Sequence, residues 1–119
     1  MTTLAGSERS ASFFETGADF RAWLADNHAS ATELWVGFWK KGSGRRGLGY
    51  QASVEEALCF GWIDGLTRRI DEHSYAIRFT PRRPRSNWSA PNIARVEELT
   101  RQGRMHPAGV RAFEAREVI

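Results

Sequence analysis

The fold is decided by two neighbouring stretches, Ala57-Leu-Cys-Phe-Gly-Trp-Ile-Asp-Gly65 and Tyr75-Ala-Ile-Arg-Phe-Thr-Pro-Arg-Arg-Pro-Arg-Ser-Asn-Trp-Ser89. In the first stretch, two glycines interrupt an apolar run that carries one carboxylate, Asp64. In the second, alternating apolar residues give way to a loop rich in arginine and proline. This order predicts a helix that ends near Gly61, then two antiparallel strands and a stiff basic connection.

The predicted hairpin pairs a strand over residues 62–70 with a strand over residues 75–80, and a turn at residues 71–74 joins them. Period-two alternation places the following side chains on one face of the first strand: Trp62, Asp64, Leu66, Arg68 and Ile70. We expect the connection after the second strand to be extended, because each of its prolines fixes its own φ and restricts the preceding residue.

Upstream of the hairpin, the sequence predicts one helix and one strand. Thr16 and Asp19 have the spacing of a capping box at the start of a helix over about residues 17–27. Residues 33–39 have the composition of a strand that is apolar on both faces. Such a strand is expected to be central in the sheet or covered on both sides.

Three further helices complete the predicted fold. Ser53-Val-Glu-Glu56 is a capping-box pattern that predicts the start of a second helix, and Ser89 is expected to cap a third. A last helix should begin at His106, with Val110 and Phe113 on its inner side. These elements predict an α+β fold: a single domain in which a small antiparallel sheet of about three strands packs with about four helices.

Length and composition indicate one small domain. The chain has 119 residues and a formal net charge of +3, and Lys40 and Lys41 are its only lysines, so arginine supplies most of the positive charge. The one cysteine, Cys59, excludes an intrachain disulfide and is expected to be a buried, inert thiol. Residues 1–12 are expected to be a disordered tail, which leaves residues 13–119 as the domain. The absence of a secretory or long apolar segment favours a cytoplasmic protein without membrane insertion.

A second basic segment lies at residues 40–47, where four basic residues alternate with three glycines and one serine. It matches neither the P-loop nor the dinucleotide fingerprint. We interpret it either as a solvated connector or as a mobile flap that contacts an anion, with Lys41 as a candidate ligand-binding residue.

The candidate site is centred on Asp64. A buried carboxylate needs a partner, and Arg78 across the predicted hairpin can bind it bidentately. Three interpretations remain: a structural pair that locks the hairpin, a cleft in which Asp64 and the loop arginines hold a polar or anionic molecule, or general acid–base catalysis by Asp64. The candidate ligand-binding residues are Lys41, Trp62, Asp64, Arg78, Arg82, Arg83, Arg85, Ser86, Trp88 and Asn92.

Side chains around this site are expected to divide between core and surface. Trp62 and Trp88 are interpreted as core residues rather than stacking platforms. At least two of the three loop arginines, Arg82, Arg83 and Arg85, should be solvent-accessible. We expect neither a metal site nor a cofactor, because the three histidines lie far apart without ligand spacing and no cofactor motif occurs.

Three strings carry a resemblance to a known family: Glu33-Leu-Trp-Val-Gly-Phe-Trp-Lys-Lys41, Glu56-Ala-Leu-Cys-Phe-Gly-Trp-Ile-Asp-Gly65 and Arg78-Phe-Thr-Pro-Arg-Arg-Pro-Arg-Ser-Asn-Trp-Ser89. The chain resembles the YdeI/OmpD-associated family, also called the bacteriocin-protection family, over about residues 13–116. The resemblance implies a link to bacterial defence against toxic proteins or peptides and to envelope stress. It supplies no catalytic residues.

Two classes of function follow. The first is a non-enzymatic binding module that recognises an anionic group, most simply a nucleotide or nucleic acid, through Arg82, Arg83 and Arg85. The alternative is a small enzyme in which Asp64 works with Lys41 or an arginine as electrostatic partner. The oligomeric state does not follow from the sequence.

Overall fold

The computed structural model describes residues 11–116 as a three-stranded antiparallel sheet and four helices. The strands are β1 (Leu34–Trp39), β2 (Trp62–Asp71) and β3 (Ser74–Pro81), in the spatial order β1-β3-β2. The helices are α1 (Gly17–Asn27), α2 (Tyr50–Cys59), α3 (Ala90–Arg101) and α4 (Pro107–Glu114). The predicted α+β fold is therefore confirmed.

Two of the predicted helix starts are confirmed by their caps. The Thr16 Oγ1 accepts a hydrogen bond from the Asp19 N–H at 3.2 Å, and α1 follows. The Ser89 Oγ accepts from the Asn92 N–H at 3.2 Å, and α3 follows. Each cap satisfies an N–H that has no partner within its own helix.

The start of α2 was predicted wrongly. The helix begins at Tyr50, and Ser53 lies inside it, where its Oγ donates to the Tyr50 carbonyl at 2.6 Å. Glu56 is therefore not a capping residue: it is buried and binds Arg21 and Arg104. A serine three residues before a glutamate can also occur within a helix, so the spacing alone was ambiguous.

β1 is an edge strand, yet it is covered on both faces. Leu34, Val36 and Phe38 belong to the core or pack against it. Trp35 and Trp39 lie on the other face, where arginine side chains and Phe13 cover them. A central position for this strand was one predicted alternative, and it is wrong. The other alternative, a strand covered on both faces, is confirmed.

Ser12 forms an isolated parallel bridge with Val36 on the free edge of β1. The Ser12 N–H donates to the Trp35 carbonyl at 2.9 Å, and the Gly37 N–H donates to the Ser12 carbonyl at 2.8 Å. Ser12 was expected to belong to the disordered tail, but these hydrogen bonds show that it is ordered. Residues 1–10 of the predicted tail lie outside the described residues.

A β-bulge in β2 changes which side chains share a face. Asp64 pairs with Phe79 and Thr67 pairs with Ile77, so Asp64 and Thr67 lie on the same face. Leu66, predicted on that face, is exposed, and Arg68 lies on the opposite face over the Trp35 ring. The predicted alternation therefore fails after Asp64.

α4 packs closely against the end of α2. Gly109 is buried, and a Cβ at this position would lie 2.1 Å from the Cys59 carbonyl oxygen, so a side chain cannot fit there. Phe113 packs against the core as predicted, but Val110 is exposed, contrary to prediction. No helix within residues 11–116 is long and apolar enough to cross a membrane.

Candidate functional site

Asp64 and Arg78 do not form the predicted pair, because the sheet places them on opposite faces. Asp64 lies opposite Phe79 in the register, and Arg78 precedes Phe79 in the strand, so the two side chains point to different sides. Arg78 instead binds Glu33 through its Nε. The structural-pair interpretation is therefore wrong.

The partner of Asp64 is a residue that the sequence did not single out. The Tyr50 hydroxyl donates to Asp64 Oδ2 at 2.8 Å. This hydrogen bond, together with burial and the negative charge of Asp64, raises the pKa of the Tyr50 phenol above its ordinary value. The phenol is therefore a hydrogen-bond donor at neutral pH, and it fixes one oxygen of the carboxylate.

The segment at residues 82–88, called here the arginine–proline loop, is folded rather than extended. The Ser86 N–H donates to the Arg83 carbonyl at 3.2 Å, and Arg85 has a positive φ of 63°. This closes a tight turn around Pro84, a residue suited to the first corner of a turn. Two backbone bonds anchor the loop: Arg82 N–H donates to the carbonyl of Gly61 at 2.9 Å, and Arg85 N–H donates to the carbonyl of Ala115 at 3.1 Å.

The three arginines of this loop have different environments. Arg82 is half-buried, its guanidinium carbon lies 3.8 Å from the centre of the Trp88 ring, and its Nη1 donates to the Asn87 carbonyl at 3.3 Å. Burial lowers the pKa of Arg82, and the charge of Asp64 opposes that shift. Arg83 and Arg85 are exposed, which confirms that at least two of the three arginines are solvent-accessible.

Three polar side-chain atoms of the loop have no hydrogen-bond partner within the described residues: Arg82 Nε, Ser86 Oγ and Trp88 Nε1. All three atoms are buried, and Trp88 as a whole is only 8% exposed. The two nitrogens can only donate, and the hydroxyl can donate or accept. Nearly all buried polar atoms in folded proteins are hydrogen-bonded, so three exceptions within seven residues mark this loop as unusual.

The structure brings part of the predicted site together. Trp62 and Trp88 are core residues, as predicted, and the Trp62 ring packs edge-on against Trp23. Asn92 lies on α3 and accepts a hydrogen bond from Arg95 at 2.9 Å. The positive charge of Arg95 acts against the upward shift in the pKa of Tyr50.

Lys41 does not belong to this group. Lys40 donates its N–H to the His73 carbonyl, next to the first residue of β3, whereas the arginine–proline loop follows the last residue of β3. The length of β3 separates the two basic loops by about 23 Å, at roughly 3.3 Å per residue. Arg78, on the outer face of the sheet, is also separate from Asp64.

Residues 39–49 surround a concavity of their own, with a volume of about 690 Å³. Four cationic residues line it together with Trp39: Lys40, Lys41, Arg45 and Arg46. Within the described part of the chain, none of these four cations is paired with a carboxylate. The sequence identified this loop as basic, but it did not predict the concavity that the loop forms.

A third group of polar residues was missed because its members are far apart in sequence. Glu56, on α2, accepts from Arg21 at 3.1 Å and from Arg104 at 2.9 Å. Cys59 lies beside this group and is fully buried, as predicted. Burial raises the pKa of the Cys59 thiol, although Arg21, which lies within hydrogen-bonding reach, opposes the shift.

Two of the histidines that are far apart in the sequence are adjacent in the fold. The rings of His28 and His106 lie 4.9 Å apart, and both pack against Phe60. His106 also caps α4, since its Nδ1 accepts from the Ala108 N–H at 3.0 Å. Across residues 11–116, no group of three or more histidine, cysteine, aspartate and glutamate side chains is placed to hold a metal ion.

Comparison with known proteins gives one match. Residues 12–112 match a family model described as Domain of unknown function (DUF8412). No curated protein and no solved structure matches the chain. Because the matched segment spans most of the sequence, the chain belongs to the DUF8412 family of domains of unknown function.

Proposed function

We propose that the protein is a non-enzymatic binding module that recognises a phosphate-bearing or other multivalent anion through the arginine–proline loop. The observation that carries this proposal is the set of unpartnered buried atoms in the loop: Arg82 Nε, Ser86 Oγ and Trp88 Nε1. An unsatisfied buried polar atom costs about 1–3 kcal/mol. A ligand that supplies acceptor oxygens relieves this cost when it binds.

The chemistry of these atoms selects the ligand. Two of the three can only donate hydrogen bonds, so the ligand must present acceptors. Exposed Arg83 and Arg85 supply positive charge in the same loop. Arginine pairs its planar N–H fork with phosphate and carboxylate oxygens, and such charge-assisted bonds are about twice as strong as neutral ones.

The loop must open slightly to admit a ligand, because the three atoms are buried. The backbone contacts of the loop limit this opening to a small movement. Pro84 stiffens the turn, and the Gly61 and Ala115 carbonyls hold its backbone from two sides. A loop held in this way loses less conformational entropy on binding than a flexible one.

The resemblance to the YdeI/OmpD-associated family supports a biological setting. We propose that the module acts in the bacterial cytoplasm during stress caused by toxic proteins or peptides. The resemblance includes the whole arginine–proline loop, from Arg78 to Ser89. It does not specify the anion.

Titration calorimetry with pyrophosphate at low ionic strength tests the proposal. We expect weak but saturable binding by the parent. Arg83→Gln with Arg85→Gln should weaken it by about tenfold or more, as expected for the loss of two charge-assisted contacts. The matched control is Arg69→Gln with Arg101→Gln, which removes the same charge from exposed positions on β2 and α3.

The control should retain at least half of the parent affinity. Failure of pyrophosphate and nucleoside phosphates to bind at millimolar concentration would show that the loop is not an anion site. Equal weakening in both double variants would show that binding reports only the net charge of the protein.

An enzyme remains the second candidate, and the Tyr50–Asp64 hydrogen bond is the observation that favours it. A tyrosine that donates to a carboxylate can position it for acid–base work. The raised pKa of the phenol keeps its proton in place at neutral pH, so Asp64 would be the group that transfers a proton. Turnover of a phosphate-ester panel, abolished by Asp64→Asn and retained by the Arg83→Gln, Arg85→Gln variant, would favour this candidate.

A further inference from the structure

The sheet has one face that the helices do not cover. On the covered face, Val36, Phe38, Ile77 and Phe79 belong to the core with residues of α1, α2 and α3. Trp35 and Trp39 neither belong to that core nor pack against it, because they lie on the opposite side of β1. We call this opposite side the outer face; it carries Trp35, Trp39, Arg68 and Arg78, with Phe13 and Arg45 packed on it.

Flat side chains dominate the outer face. The Arg68 guanidinium lies 4.0 Å from the centre of the Trp35 ring, and the Arg45 guanidinium lies 4.5 Å from that of Trp39. Phe13 stacks on Trp39 with ring centroids 4.5 Å apart. Trp35 and Trp39 are four residues apart in one strand, so their Cα atoms are separated by about 13 Å at roughly 3.3 Å per residue.

Gly37 supports this arrangement. It lies between the two tryptophans on the same face, and a Cβ there would come within 2.5 Å of the Phe13 ring. The absence of a side chain lets Phe13 lie flat against the strand. Phe13 itself remains 39% exposed, so the aromatic surface continues to the solvent.

The charge of this surface is strongly positive. Arg78 is paired with Glu33, but Arg68 and the four cations of the residue 39–49 concavity have no carboxylate partner within the described residues. Asp71, the last residue of β2, accepts hydrogen bonds from the His73 N–H and the Ser74 hydroxyl. A stacked guanidinium still has N–H groups for a phosphate.

We propose that the outer face and the adjoining loop of residues 40–46 bind single-stranded nucleic acid. Single strands are recognised by basic grooves that follow the phosphates and by aromatic or arginine planes on which unpaired bases stack. The outer face offers both kinds of feature, in Trp35 with Arg68 and in the cations of residues 40–46. A duplex hides its bases in its own stack and cannot use the tryptophans, so it should bind less well.

This inference goes beyond the proposed function and rests on a different surface. The arginine–proline loop and the loop of residues 40–46 lie at opposite ends of β3, so each can be changed without altering the other. Arg83→Gln with Arg85→Gln tests the first site, and Arg45→Gln with Arg46→Gln tests the second.

Fluorescence anisotropy with a short labelled single strand of mixed sequence tests the inference. Arg45→Gln with Arg46→Gln should weaken binding about tenfold at low salt and reduce the slope of log K against log salt by about 1.4, at about 0.7 per lost phosphate contact. Trp35→Leu should weaken binding by about tenfold with an unchanged salt slope, because stacking releases no counterions. Trp35→Phe, which keeps an aromatic plane, should restore most of the affinity.

The matched control is Arg101→Gln with Arg111→Gln, which removes the same charge from exposed positions on α3 and α4 and should bind within about twofold of the parent. If Trp35→Leu fails to fold, Arg68→Gln tests the same stacked position. The inference is overturned if the parent does not bind the single strand at low salt or if a duplex of equal length binds as tightly. Equal weakening by the control also overturns it, as does unchanged affinity in the variant at the Trp35 position.

Discussion

Arg21 and Arg104 converge on one buried carboxylate, whereas Arg82 ends on an indole ring. Glu56 receives the first two at 3.1 and 2.9 Å, and Arg21 also donates to the Arg104 carbonyl at 2.7 Å. Arg82 places its guanidinium on Trp88 and leaves its Nε without a partner in the described protein. The same residue type therefore has two different environments in this small domain.

Pairing thus separates the arginines that hold elements of the fold together from those that we propose to bind a ligand. The paired group joins α1, α2 and the segment before α4, so its energy contributes to folding. The arginine–proline loop concentrates positive charge, and no carboxylate is bonded to Arg82 within the described residues. This arrangement should contribute little to the stability of the fold. Breaking the first group should cost stability, and changing the second should cost binding.

The largest effect is expected from Glu56→Ala. The substitution leaves two guanidinium groups without their shared acceptor in a partly buried place. Removing one partner of a fully buried pair costs about 3–5 kcal/mol, but both arginines are about one-third exposed, so we expect about 2–4 kcal/mol. Urea unfolding measures it, and Glu97→Ala, at an exposed position on α3, is the control that should change the stability little.

A smaller effect on the free energy of unfolding is expected from Arg82→Met. Methionine retains apolar cover over Trp88 and removes the buried Nε that has no partner. We therefore expect the free energy of unfolding to stay within about 1 kcal/mol of the parent or to rise, while pyrophosphate binding is lost. A loss of more than about 2 kcal/mol would show that the guanidinium is structural, like those of Arg21 and Arg104.

The paired side of the molecule should also respond to pH. Burial, with the nearby charges of His28 and Arg21, lowers the pKa of His106 below its ordinary value. The unfolded chain therefore binds a proton more readily than the folded one, and stability should fall as pH decreases from about 6.5 towards the pKa of folded His106. His106→Asn keeps an acceptor at the cap of α4 and should flatten this dependence in thermal melts recorded between neutral and mildly acidic pH.

The smallest effect on folding is expected from Arg83→Gln with Arg85→Gln. Both residues are exposed, and glutamine at position 85 keeps a side chain at the same positive φ. The free energy of unfolding should change by less than about 0.5 kcal/mol, the usual range for surface substitutions. A larger change in urea unfolding would assign these two arginines to the structural class.

The sequence predicted the elements whose signals are local. The caps at Thr16 and Ser89, the alternation of β3 and the apolar stripes of the helices depend on neighbouring residues. The capping-box pattern at Ser53 failed because the same spacing occurs within a helix, and tertiary contacts fixed the start at Tyr50.

The site was predicted less well because its contacts are non-local. Nothing near Asp64 in the sequence indicates Tyr50, which reaches it from another element. The bulge between Asp64 and Thr67 changed the faces of the following residues as far as Arg69, and a second register shift follows between Arg69 and Asp71. At the first shift, only Gly65 is of a residue type that often marks a bulge. The residue types of the arginine–proline loop were visible, but its tight turn depends on a positive φ at Arg85, which is uncommon for a residue other than glycine.

The most direct test observes the donors of the loop themselves by NMR. The indole N–H of Trp88, assigned with Trp88→Phe, and the Nε–H of Arg82 are followed as pyrophosphate is added against a sodium chloride series of equal ionic strength. If the loop binds the anion through these donors, both resonances should shift downfield and saturate together, while the Nε–H signals of Arg21 and Arg104 stay in place. Unchanged Trp88 and Arg82 signals at saturating pyrophosphate, or equal shifts in sodium chloride, would contradict it.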